Sequence, residues 1–211
     1  MNAKGVSGLL LAICPISMMV LWIALYPALI GDSDTTEAGL KLALENQAAW
    51  MGLGMLSSVL FGGLFVGLAL LSMQIRAAGG PGSTLTTVSL IMFIGCFAVF
   101  ASSTGLTVGA FELAQEEGVK AAVPVQLISD QIGAGMPMFW GFGMFLLGLA
   151  LASSKAVNEY IGWAMAVIGV VMVSSLMFDV SNSPVGMVLW IGMTLITTTV
   201  GVMTYLSRDA S

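Results

Sequence analysis

Chemistry in this chain has to come from carboxylates, amides and hydroxyls, because it contains no histidine and only two cysteines. Without histidine the usual general base, the usual proton shuttle and the commonest transition-metal ligand are all missing. Cys14 and Cys96 lie far apart inside apolar runs and form no CxxC pair, so they read as small packing residues rather than redox or metal-binding groups. There is no HExxH, no GxSxG, no phosphate-binding loop and no dinucleotide turn. Two groups of candidates remain. Glu112, Asp130 with Gln131, and Asp179 with Asn182 stand at the ends of apolar stretches. Carboxylates joined by amide oxygens are what a hard cation such as calcium takes, but the same residues also serve to end helices at a water boundary. The second group is hydroxyls: Ser57-Ser58, Ser102-Ser103-Thr104 with Thr107, Ser174-Ser175 and Thr197-Thr198-Thr199. These either line a polar cavity or bond back to the preceding turn of their own helix.

The elements that must position these residues are set by an unusual composition. Of 211 residues, 58% are hydrophobic and 8% charged, and the mean hydropathy is +1.01. A soluble domain carries roughly 25% charged residues. Six stretches meet the length of about 20 apolar residues that a bilayer demands: Gly5–Ile30, Ala48–Met73, Leu85–Phe111, Ile132–Ala152, Tyr160–Phe178 and Val185–Leu206. None contains Asp, Glu, Lys or Arg. The first is too long for the apolar core of a cleavable signal peptide and no A-x-A site follows it. The expectation is an all-α, polytopic integral membrane bundle of six transmembrane helices, residues 1–211 forming one domain.

Lys and Arg in short loops set the orientation. With the N-terminus inside, the inner segments carry Lys4, Arg76, Lys155 and Arg208, and the outer ones Lys41 and Lys120. N-in/C-in is therefore expected, with the loops 31–47 and 112–131 outside the cytoplasm in a plasma-membrane protein. Nine acids accompany the two outer lysines, leaving that face net negative. It reads either as a solvated rim or as a surface that collects cations or docks a basic partner. Asp34-Thr-Thr-Glu37 resembles a capping box and predicts a short surface helix running into the second span. In the 112–131 loop, a helical turn or two broken at Gly118 and Pro124 is expected.

Small residues four apart (Gly54/Ser58/Gly62, Gly63/Gly67 and Gly105/Gly109) predict close helix packing, and place span two centrally. Spans two and four share a Trp-Gly start and a GLAL exit, which favours a parallel duplication of helical hairpins over an inverted repeat. Pro137, amid glycines at the start of span four, predicts a kinked, mobile outer half. Trp50, Trp140, Trp163 and Tyr160 are expected as membrane anchors.

Residues 140–173, with an aromatic-Gly start, a GLALASS exit and a short loop into IGW, resemble small prokaryotic six-helix membrane proteins of unknown function. That resemblance implies a topology and no site residues. The function expected is a non-catalytic membrane component, an accessory or scaffold subunit or a small oligomeric bundle. A small-solute transporter or channel, and an outer-face ligand or cation sensor, are the rivals. No cofactor is called for. The expected partners are the lipid bilayer and a second copy or another membrane protein, not nucleic acid. A cavity between spans three, four and five, lined by Ser102, Ser103, Thr104, Ser174 and the outer carboxylates, would favour transport or sensing.

Overall fold

A computed structural model describes residues 2–154, 157–175 and 184–208. They are overwhelmingly helical, and no strand occurs among them. Five stretches are long and apolar enough to cross a membrane: Ala3–Leu29, Gln47–Ala78, Ser83–Glu116, Val119–Ser154 and Val185–Leu206. The predicted fifth span appears as a shorter apolar helix, Glu159–Ser175.

In chain order the elements begin with α1 (Ala3–Val20), a π-helical stretch Leu21–Leu25 and α2 (Tyr26–Leu29), which together form one rod. Asn2 caps it, its side-chain oxygen accepting from Gly5 N at 2.9 Å. The surface helix expected after the capping box is α3 (Thr36–Glu45). Its cap is Thr35, whose hydroxyl accepts from Ala38 N at 3.2 Å. There follow α4 (Gln47–Ala78), α5 (Ser83–Glu116), α6 (Val119–Gly133), α7 (Met136–Ser154), α8 (Glu159–Ser175) and α9 (Pro184–Leu206).

Two expectations fail here. Glu112 does not close its helix, because α5 runs on to Glu116 and ends where Gly118 takes φ +92, a conformation glycine adopts without penalty. Pro124 does not break the next segment, since it lies inside α6. The one backbone bond it forfeits is outweighed by tertiary burial, with Ala122, Val123 and Val125 packed against Leu40, Ala110 and Ala114 of α3 and α5. Pro137, by contrast, falls where the predicted span four is interrupted, α6 ending at Gly133 and Ala134 and Gly135 forming a turn. It occupies the first turn of α7, where its missing N–H has no intrahelical partner to lose.

The long helices pack as a ring in chain order, α1–α4–α5–α7–α8–α9 and back to α1, with α4 also meeting α7 across the middle. In a bilayer, lipid tails would be as apolar as the helices, so close fit rather than hydrophobic force would have to hold such a ring. Glycine supplies the fit. Gly63 and Gly67 of α4 receive Cys14 and Leu11 of α1 so closely that an added Cβ would stand 2.7 Å from Cys14 Sγ. Gly141 and Gly148 of α7 meet Gly169 and Gly162 of α8, and Gly8 and Gly201 bring α1 against α9. Around Gly54, Gly105 and Gly109, by contrast, an added Cβ would meet nothing within 4 Å, so no neighbouring helix packs on those three glycines, whereas one on Gly62 would lie 3.7 Å from the Phe97 ring of α5.

The charged groups gather at the two ends. α3, the α5–α6 turn and α6 form an acidic end. At the opposite end Lys4 Nζ donates to Ser207 O at 2.9 Å, Gln74 Nε2 to Ala3 O at 3.0 Å, and Arg208 lies over the Tyr205 ring.

Candidate functional site

A cavity of about 560 Å3 opens at the acidic end, walled by α1–α2, α4 and α5 and roofed by residues 33–43 and α6. It lies beside spans one to three, not among spans three, four and five as the hydroxyl pattern suggested. Spacing along a helix tells which residues share a face but not which helix that face meets. Of the predicted residues, the structure brings Ser103, Thr104 and Asp130 to this wall. Ser102, Glu112 and Gln131 are exposed and do not line it. Ser174 bonds back to Val170 O at 2.9 Å within α8. Asp179 and Asn182 lie outside the described residues. Among the described residues, no group of three or more acidic or cysteine side chains comes together to hold a metal ion.

The hydroxyls on the α5–α6 seam are locked. Ser103 Oγ donates to Ser129 O at 3.0 Å, and Ser129 Oγ donates back to Ser103 O at 2.7 Å. With its own proton spent, Ser129 Oγ accepts from Thr107 Oγ1 at 2.8 Å. Gln126 Nε2 then donates to Thr107 Oγ1 at 3.4 Å and to Asp130 Oδ1 at 2.8 Å. A carboxylate accepts only, so the amide nitrogen must face Asp130 and the orientation of Gln126 is fixed. Its Oε1 is left buried with no partner. Ser103 is thus a structural residue, while Thr104 and Ser57, also on the wall, make no side-chain hydrogen bond among the described residues.

Aromatic rings complete the site. Trp22 and Tyr26 stack at 5.1 Å on one side, and Trp50, itself stacked on Phe111 at 4.3 Å, stands on another. The floor is Phe61 on Phe100, 4.4 Å between centroids. Below it Phe65 and Trp140 meet edge to face at 5.3 Å. Trp140 is 2% exposed and sits at the centre of the bundle, so it is not the interfacial anchor its position in the sequence implied. Trp163 and Tyr160 are exposed, as anchors would be. Asp34 and Asp130 are the charged side chains lining the cavity, and no lysine or arginine joins them among the described residues. Sequence reasoning missed Gln126, Ser129 and the aromatic wall. The i, i+4 spacing of Gln126 and Asp130 was the one available signal, and it pointed to Gln126 alone.

No protein-family model matches the chain, and neither a curated protein nor a solved structure matches it significantly.

Proposed function

We propose that this chain is a non-catalytic, six-span protein of the plasma membrane, N-in/C-in, whose outer vestibule binds a small organic cation. The observation that carries the ligand is the wall itself: two carboxylates, stacked aromatic rings and no basic side chain among the described residues. Aromatic faces attract ammonium groups electrostatically, more strongly where water is excluded. The unpartnered Gln126 Oε1 asks for a ligand that also carries a hydroxyl or N–H donor. The acidic loops would concentrate cations at the entrance. The aromatic floor under the vestibule favours binding and sensing over conduction. Six spans and the stated sidedness are supported by the six apolar helices and by Lys4, Arg76 and Arg208 sharing the end opposite the acidic loops.

The test is a thermal titration of the protein in nanodiscs with choline and with its neutral isostere, in which a tertiary butyl group replaces the ammonium. A ligand that binds only the folded state stabilises it by about 2.7 kcal/mol at a hundredfold excess over Kd. Choline should raise the unfolding midpoint saturably, the isostere should not, and Asp130→Asn should weaken the choline effect. Equal shifts from both compounds would refute a cation site.

Self-association is a second reading. It rests on Gly105 and Gly109, whose small-residue face on α5 opens onto empty space. Single-molecule counting of subunits in liposomes, with and without Gly105→Leu, tests it.

A further inference from the structure

A second cavity, of about 430 Å3, lies between α1, α4, α7 and α9. Its deep wall is made of Trp140, Thr197, Leu64 and Met18, each at most 3% exposed. Its rim is different. Trp22, Ile23 and Met187 are about half exposed and belong to faces of the Ala3–Leu29 rod and α9 covered with other apolar side chains such as Val20 and Val188. Toward the opposite end of the molecule α1 and α9 are closed on each other at Gly8 and Gly201. Toward the acidic end the cavity separates them. The mouth therefore opens sideways, onto hydrocarbon if the chain is membrane-embedded as proposed above.

Two buried polar atoms of deep-wall residues have no partner, Trp140 Nε1 and Thr197 Oγ1, and each side chain must turn slightly for its atom to meet a molecule in the cavity. A threonine hydroxyl can rotate in search of a carbonyl, but an indole N–H is a donor only, fixed on a rigid ring. Water does not fill the role well, because a buried water needs two to four polar partners and this wall is almost wholly apolar. Trp140 also borders a smaller cavity of about 180 Å3, whereas Thr197 lines the larger one and not that one.

The geometry points to a lipophilic carbonyl compound as the ligand. We propose that it enters from the bilayer head first, its carbonyl oxygen accepting from Trp140 Nε1 and Thr197 Oγ1, its hydrocarbon tail remaining in the mouth between α1 and α9. The cavity falls within the 300–1,000 Å3 typical of small-molecule sites. This site is separate from the vestibule and takes the opposite kind of molecule, an acceptor on a hydrocarbon body rather than a cation.

The test compares decanophenone with decylbenzene, which differ by a carbonyl in place of a methylene. Each is dissolved at matched mole fraction in nanodiscs holding the full chain, and the unfolding midpoint is followed. The ketone should stabilise saturably and bind about tenfold more tightly than the hydrocarbon, the worth of one satisfied hydrogen bond. Trp140→Phe, which keeps the ring and removes the donor, should reduce that preference to about twofold or less. Thr197→Val should reduce it in part. Equal binding of the two probes to the unmodified chain, no saturable binding of either, or a tenfold preference surviving in Trp140→Phe would overturn the proposal. The comparison on the unmodified chain needs no variant to fold.

Discussion

Ser129 shows how much one hydroxyl can hold when every proton in its neighbourhood has a fixed destination. Its side chain donates to one carbonyl and accepts from Thr107, while its carbonyl accepts from Ser103. Ser129→Ala should cost about 1 kcal/mol, in keeping with interhelical hydrogen bonds in membranes, and loosen α6 from α5. Ser102→Ala, one residue from Ser103 but exposed, should change stability by less than about 0.5 kcal/mol; denaturation in mixed micelles measures both. The triplet Ser102-Ser103-Thr104 was visible in the sequence as a polar patch, yet its members part company. Successive residues on a helix point about 100° apart, so Ser103 meets α6, Thr104 faces the cavity and Ser102 faces out. Which of the three would matter depended on where α6 lay, and its partner Ser129 gave no sign of itself. At the surface, the hydrogen bond from Lys41 at 2.8 Å, with its charge, holds the Glu37 carboxyl below its usual range. Folded α3 therefore gains a little stability that is present above the ordinary glutamate range and lost as pH falls through the lowered value. Hydrogen exchange in α3 should quicken relative to α4 on acidification below about pH 4, the ordinary glutamate range, and Lys41→Met should abolish that difference.

At the scale of helices the sequence disclosed lengths better than contacts. Apolar length located the rods, and the Asp34–Glu37 pattern located α3, one residue ahead of its actual cap, Thr35. Small-residue spacing was correct for Gly63 and Gly67 and had no neighbouring helix to meet at Gly54, Gly105 and Gly109, because spacing defines a face without supplying the helix opposite. The tightest seam, α7 on α8, uses glycines seven apart, Gly141 with Gly148 and Gly162 with Gly169. Two full turns separate each pair, so a search at one-turn spacing passes over them. A Cβ on Gly162 would stand 2.5 Å from Ala152 N, a backbone atom that has nowhere to go. Gly162→Leu should therefore cost about 3 kcal/mol, the upper end of ordinary overpacking. Gly105→Leu should leave the monomer's unfolding midpoint in place.

The described residues form a ring of helices, and the two larger cavities described above are unlike, one more polar and open at the acidic end, one apolar and open at the side. Phe61 and Trp22 belong to both walls. Sidedness is open to direct measurement, because the chain's own cysteines are free and buried and should stay silent to maleimides. A cysteine introduced at Lys120 should react with an impermeant maleimide on intact cells, and one at Gly80 only after permeabilisation. The reverse pattern would invert the topology and put the vestibule in the cytoplasm.

The six apolar stretches carry no Asp, Glu, Lys or Arg. Moving one charge through the full membrane potential is worth about 2.3 kcal/mol per 100 mV, and these stretches offer the field no charge of their own to move, which leaves Asp34 and Asp130 at the vestibule as the charges nearest to it. Voltage should leave the empty protein indifferent. Once an organic cation sits in the vestibule, the passenger becomes the sensor, and the steepness with which its affinity follows voltage would measure how far into the field the Phe61 floor lies.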